Sequence, residues 1–165
     1  MVYYEFCTVG LLVGFGVVVC FVVKARFEIL NETYVKKLQI EARIIGDICL
    51  SHVIPAAVRY QNILIENIKG IKEIFADDYV RYCSSELETL KKISQFINDI
   101  SADVELLVEA RKKANRIEDI AERAKVYSHS VKDMMDKVRE SADNLEMLID
   151  NEMWPLPKYR ELLFF

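Results

Sequence analysis

The chain has 165 residues, 52% hydrophobic and 29% charged, with five Gly and three Pro, a composition that excludes a disordered tail and fits one ordered domain behind a leader. All 22 Lys and Arg residues, and all but one of the 26 Asp and Glu residues, follow Val23; that part mixes both signs with a small negative excess and gives no electrostatic reason to expect nucleic acid. Cys7, Cys20, Cys49 and Cys83 are too widely spaced for a CxxC redox or zinc motif, so a reducing compartment is the default.

Residues 1–23 form the apolar leader. Phe6 to Val23 is a run of uncharged, mostly apolar residues that, at roughly 1.5 Å per helical residue, nearly matches a ~30 Å hydrocarbon core. This predicts a transmembrane helix over residues 6–23. The β-branched Val17-Val18-Val19 would also suit a buried strand, but the length and the lack of a polar face favour the membrane. Glu5 replaces the basic start of a signal peptide, and Val22-Val23-Lys24-Ala25 is not a small-residue cleavage site, so the segment is expected to stay attached. Lys24, Arg26, Lys36 and Lys37 follow it, which puts the remainder in the cytoplasm by the positive-inside rule. Asn31-Glu32-Thr33 is then a chance sequon. Gly10 and Gly14 give a weak small-xxx-small match for helix pairing.

Residues 24–165 predict an all-α, elongated antiparallel bundle of three long helical segments with coiled-coil-like seams. The first carries Phe27, Leu30, Tyr34, Leu38, Ile45, Ile48, Tyr60, Leu64, Ile68 and Ile71 at helical spacing, and Pro55 interrupts it. An interior proline removes a ladder bond and clashes with the preceding turn at about 3 kcal/mol, so a kink or break is expected just before Pro55, with the helix resuming at once. A loop follows near residues 76–84. Ser85-Glu86-Leu87-Glu88 offers a capping box for the second segment, with Asp77-Asp78 as a competing start.

The second segment is read from Leu87, Leu90, Ile93, Ile97, Ile100, Val104 and Leu107. The third is read from Ile117, Ile120, Ala124, Tyr127, Val131, Met134, Val138, Ala142 and Leu145. Between them, Arg111-Lys112-Lys113 supplies cations to one last turn and Glu118-Asp119 supplies anions to the next first turn, with Asn115 expected as a left-handed cap. So short a connection folds the third helix back on the second. Two prolines in Trp154-Pro155-Leu156-Pro157 forbid further helix, so the tail should run extended with Trp154 and Leu156 on a bundle face. Leu162-Leu163-Phe164-Phe165 is an apolar cluster that needs a cover, from its own bundle or from a partner.

The segments His52-Val-Ile-Pro-Ala-Ala-Val-Arg-Tyr-Gln-Asn62, Glu66-Asn-Ile-Lys-Gly-Ile-Lys72, Glu109-Ala-Arg-Lys-Lys-Ala-Asn115 and Met153-Trp-Pro-Leu-Pro-Lys-Tyr-Arg-Glu-Leu-Leu-Phe164 occur in this order. With Ala25-Arg-Phe-Glu-Ile29 and Ile40-Glu-Ala-Arg43, they resemble the C-terminal domain of type III glutamine synthetases from about Lys24 to Phe165. The resemblance implies a parent enzyme that joins ammonia to glutamate with ATP and divalent metal ions, built of rings of identical subunits, with its catalytic residues upstream of this domain. In that place this chain has the apolar leader, so no catalytic, cofactor or metal residue carries over, and the chain is expected to be a non-enzymatic fragment of a nitrogen-metabolism enzyme.

The residues themselves offer little chemistry. His52 and His129 are isolated histidines, and the pairs Glu86 and Glu88, Asp77 and Asp78 fit caps and solvated faces. Arg111, Lys112 and Lys113 suit a helix C-terminus better than a phosphate contact. Tyr60, Gln61, Asn62 and Asn67 form a polar strip, read first as a buried hydrogen-bonded network and second as a contact surface for the catalytic domain. Two roles therefore stand. One is a structural or assembly domain that associates with itself or with synthetase subunits. The other is a single-pass, membrane-anchored interaction module facing the cytoplasm. Retained ligase activity is the third reading, with family as its sole support.

Overall fold

The structure is a computed structural model; it describes residues 2–158 and 161, with side chains from Cys20 onward. The described residues are helical with no strand. Helix α1 (Val2–Ile48) passes through a π-helical turn (Cys49–Val53) into α2 (Ile54–Phe75). A 3₁₀ turn (Ala76–Asp78) and the one-turn helix α3 (Tyr79–Tyr82) lead to α4 (Ser84–Ala114), which is about 46 Å long at 1.5 Å per residue. Helix α5 (Ile120–Val126), a second π turn (Tyr127–Val131) and α6 (Lys132–Leu148) complete the third rod.

The rods form an antiparallel bundle. Gln61 on α2 reaches Ser94 on α4, while Gly46 on α1 faces Val104, so α4 runs against α1 and α2. The third rod turns back on α4 and lies parallel to α1: Ala121 and Ala124 sit beside Phe27 and Tyr34, Met135 beside Leu38, and Ala142 beside Ile45 and Cys49.

Burial follows the predicted period on α4 and the third rod: Ile93, Ile100, Val104 and Leu107 enter the core from α4, and Tyr127, Val131, Val138 and Leu145 from the third. On the first rod Leu38 and Leu64 are buried as expected, Ile45, Ile48 and Tyr60 are partly buried, and Val35, Ala42, Cys49, Val53 and Ala57 enter the core without having been expected there. Deviations from the expected seams also fall on the third rod and at the start of the first. Met135 is buried where Met134 was expected, while Met134 packs partly buried against the core and Val138 and Leu145 keep their expected places. Phe27, Leu30 and Tyr34 are 54%, 68% and 39% exposed, because α1 there runs past the end of the α4 packing surface and meets only the edge of α5.

The proline is accommodated as expected, by a change of helix type. Pro55 occupies the first turn of α2, and the π turn ahead of it closes with the Ile54 N–H donating to the Cys49 carbonyl, so the missing proline donor falls where the ladder is already reset. Gly46 belongs to the same close approach, since a Cβ there would lie 3.4 Å from Val104 Cγ1.

Three cap expectations are corrected. Ser85 lies inside α4; its carbonyl accepts from the Thr89 hydroxyl, and the helix opens at Cys83 with no side-chain cap, so the capping box does not form. Asp78 precedes α3 but makes no capping bond. Asn115 is right-handed (φ −68°), not left-handed, because its side chain has another task at the hinge. The anions behave as expected in part: Asp119 is the N-cap of α5, accepting from the Glu122 N–H at 2.7 Å. The loop near residues 76–84 stands where it was expected. It holds a positive-φ alanine, Ala76 (φ 46°), and stacks Phe75 on Tyr82 with ring centroids 4.3 Å apart.

The tail leaves α6 extended, as two prolines require. Trp154 is buried and Leu156 packs on the same core, while Lys158 Nζ donates to the carbonyls of Glu146 and Ile149. Those contacts satisfy the end of α6 with a cation, the sign that a helix C-terminus favours.

Of the predicted span, residues 6–19 have side chains outside the described residues; the backbone there is helical within α1. Among the described residues one helical stretch, Cys20–Tyr82, is long and apolar enough to cross a membrane by length and composition, a test that the core helix of a soluble protein also passes. Leu162–Phe165 also lies outside the described residues.

Candidate functional site

The sequence-nominated groups do not converge. His52 is exposed on the first π turn, and His129 is exposed on the second, its Nδ1 2.7 Å from Ser128 Oγ and 3.0 Å from the Lys125 carbonyl. Carboxylates serve local structure: Glu88 pairs with Lys92 at 2.7 Å, Glu32 with Lys36 at 3.5 Å, and Asp143 with Arg139 at 3.9 Å, each one turn apart on a helix. The Lys92 ammonium lowers the Glu88 pKa by hydrogen bond and charge together. Among the described residues, no group of three or more His, Cys, Asp or Glu side chains is arranged to hold a metal ion.

The polar strip is not the buried network expected of it. Gln61 donates to Ser94 Oγ at 2.8 Å on the surface, Tyr60 lies half-buried against the core, and Asn62 and Asn67 face solvent. Its spacing leaves these polar groups on the flank of α2 rather than in the seam with α4.

The hinge carries the most specific polar geometry. Tyr127 is fully buried, and its hydroxyl donates to Asn115 Oδ1 at 2.6 Å, tying the third rod to the end of α4. Burial raises the Tyr127 pKa, and the nearby Arg111 and Arg123 cations and the Asn115 bond offset part of that rise. Arg123 Nε donates to the Ile117 carbonyl at 2.7 Å. Arg111 is half-buried beside this cluster, whereas Lys112 and Lys113 face solvent. A buried phenol held by an amide and flanked by cations fixes the angle of the turn; it presents no nucleophile or base to solvent.

Among the described residues, two apolar surfaces involve α1. The first is on α1, where Phe21, Val23, Phe27, Ile29 and Leu30 are 54–71% exposed and Ile40 and Ile44 are 58% and 51% exposed. Ile29, Ile40 and Ile44 fall outside the seam of Val35, Leu38 and Ala42, so they add apolar area to the outer side of a helix whose inner side is already packed. That signal was available in the spacing and was missed there.

The second is a groove between α1 and α6. It has a recess of about 370 Å³ whose apolar walls include Ile45, Ile48, Cys49, Ala142, Trp154 and Leu156, and another of about 490 Å³ bordered by Leu38, Ile44 and Met135; both touch Ile45 and Arg139. Its rim is mostly acidic, with Glu41, Asp136, Asp143 and Glu146 against Lys132 and Arg139. Burial pushes the Cys49 thiol up to about 11, which keeps it protonated and unreactive at neutral pH.

Comparison with known proteins accounts for a chain with much surface and little chemistry. A family model described as the glutamine synthetase C-terminal domain matches residues 7–72. The match begins inside the apolar leader, so it crosses the boundary at Lys24 where the resemblance had been expected to stop. A glutamine synthetase of Bacteroides fragilis (strain YCH46) is 44% identical over 140 residues, 84% of this chain and 19% of that protein. The type-3 glutamine synthetase of Dictyostelium discoideum is 29% identical over 154 residues, 86% of this chain and 19% of that protein. A glutamine synthetase of Butyrivibrio fibrisolvens is 30% identical over 140 residues, 85% of this chain and 20% of its own length. The chain thus spans about a fifth of the length of the curated relatives it matches. By these matches the chain belongs to the glutamine synthetases, type III among them, through their C-terminal helical domain.

Proposed function

We propose that this chain is a non-catalytic structural and assembly domain of a type III glutamine synthetase, and that ligase chemistry resides in the part of such enzymes that this chain does not match. The observation that carries this reading is the exposed apolar surface of α1. The bundle beneath it is complete, with Val35, Leu38, Ala42, Ile100, Val104 and Val138 buried, yet Phe27, Ile29, Leu30, Ile40 and Ile44 stay at the surface. Apolar area of that kind marks a protein contact. The contact proposed is with synthetase subunits or with a second copy of the chain. Mixing the purified chain with a type III synthetase and separating by size tests it. Comigration, together with no glutamine formed by the chain alone from glutamate, ammonia and ATP, is expected. Independent elution at every concentration, or glutamine formation by the chain alone, refutes the proposal.

A second reading rests on the same helix. Phe21, Val22 and Val23 are exposed, and α1 continues N-terminally from them, so the described surface is already apolar where the predicted span of residues 6–23 ends. On this reading the chain is a single-pass membrane protein with its bundle in the cytoplasm. Fractionating source cells and probing for the Trp154–Lys158 tail separates the two. A 19.2 kDa band in the membrane pellet supports the anchor, and recovery confined to the soluble fraction removes it.

A further inference from the structure

The corner that joins α2 to α4 presents apolar side chains at the end of the bundle away from the α1 surface. Ile74, Phe75, Val80 and Tyr82 lie within nine residues of chain and are 42–76% exposed. They stand roughly 45 Å along the first rod from Ile44 at 1.5 Å per residue. We propose that this corner, residues 72–82, is a contact between two copies of the chain, which meet there about a two-fold axis. The proposal goes beyond the assembly role assigned to α1 and uses none of its residues.

The corner is a pre-formed anchor. Phe75 stacks on Tyr82 with ring centroids 4.3 Å apart, and Lys72 Nζ lies 5.4 Å from the centroid of the Tyr79 ring. The fully buried Cys83 ties α3 down, its N–H and its thiol both donating to the Tyr79 carbonyl, at 3.0 and 3.1 Å. Aromatic side chains already held in place lose little freedom on association, and they are enriched at the centres of protein contacts.

The charges indicate what covers it. Lys72 and Arg81 of one sign, and Glu73, Asp77 and Asp78 of the other, are all exposed around the apolar group. None of Glu73, Asp77, Asp78 and Arg81 forms an ion pair within the described residues, although opposite charges elsewhere on these helices pair one turn apart. A corner that holds both signs unpaired beside one apolar group is complementary to itself. A two-fold axis sets the Asp77 and Asp78 carboxylates of one copy against Arg81 and Lys72 of the other, and the reverse, with the aromatic side chains between them. A partner surface of a single sign would leave half of these charges opposed. So few apolar side chains make a small contact, so the association is weak and depends on concentration.

The test mixes equal amounts of the full chain with natural nitrogen and with nitrogen-15, then adds a carbodiimide, which joins a carboxylate directly to a lysine in contact with it. The expected products are mixed-label cross-links from Asp77 or Asp78 to Lys72, found by peptide mass spectrometry. Arg81→Glu should lower their yield about threefold or more, because like charges then face each other on both sides of the axis. The yield should recover when the Arg81→Glu chain is mixed with one carrying Asp77→Arg and Asp78→Arg, whose corner has the opposite sign. Substitutions at these exposed positions leave the fold in place. Links of single label only, mixed-label links confined to α1, or a yield that does not respond to the reversal would overturn the proposal. Failure of the complementary pair to restore the links would overturn it as well. Docking through α1 is untouched by these exchanges, so the synthetase mixing experiment stands or falls separately.

Discussion

Two stretches of the same helix carry the same signal and meet different fates. From Val35 to Val53, α1 and the π turn that follows it place an apolar residue every three or four positions and bury them between α4 and the third rod; from Phe27 to Tyr34 the spacing is just as regular and the side chains stay largely exposed. Periodicity names the face of a helix that is apolar, but burial needs a neighbour, and α4 has ended by the level of Phe27. An apolar face without a neighbour inside the chain is where an external contact is most favourable.

The sharpest way to break this comparison is to truncate one residue from each kind of site. Leu107→Ala removes a side chain that is 1% exposed and should cost about 2–5 kcal/mol in chemical denaturation. Leu30→Ala, at 68% exposure, should stay within about 0.5 kcal/mol. Equal losses at both would mean that the end of α1 is packed in solution, and the distinction would fail.

A smaller effect is expected at the hinge. Asn115→Ala leaves the buried Tyr127 hydroxyl without its acceptor, at about 1–3 kcal/mol, and Tyr127→Phe should cost less because the amide it abandons can bind water. If Asn115→Ala proves neutral, the hinge is not held by this bond.

Smaller still is the response to pH. Cys49 is raised from 9.0 to about 11 in the folded chain, so the native state keeps a proton that the unfolded state has lost. Stability should therefore be flat below pH 9 and fall between pH 9 and about 11, with Tyr127 adding in the same direction above pH 10. Cys49→Ala should flatten the first part of that fall. Alkylation at neutral pH should reach the exposed Cys20 well before Cys49.

The smallest pair tests the loop against the helix before it. Gly70→Ala meets nothing within 4 Å and should stabilise α2 by about 0.5–1 kcal/mol. Ala76→Gly, six residues on, should stabilise by a similar ~1 kcal/mol because φ there is 46°. Opposite exchanges with the same sign of effect would locate the end of α2 independently.

Much of the fold was legible from residue spacing. The seams of α4 and the third rod, the break at Pro55, the loop at residues 76–84 and the extended tail all follow from helical period and proline chemistry. What was not legible depended on partners far away in sequence. Asn115 looks like a left-handed cap until Tyr127, twelve residues on, is seen to donate to it. Met134 looks like the seam residue until the packing puts Met135 in the core and leaves Met134 at its edge. Ser85 and Glu88 spell a capping box that a helix starting at Ser84 cannot use. The candidate surface was half-legible: Ile29, Ile40 and Ile44 lie off the seam in the sequence, but only the packing shows that their side of α1 has no cover.

The most direct measurement is hydrogen–deuterium exchange on the purified chain, alone and mixed with a type III glutamine synthetase. A domain that docks through α1 should gain protection over residues 20–44, where the exposed apolar side chains lie, with the α4 seam unchanged. Exchange identical in the two samples, or protection confined to other parts of the bundle, would contradict an assembly role for this face.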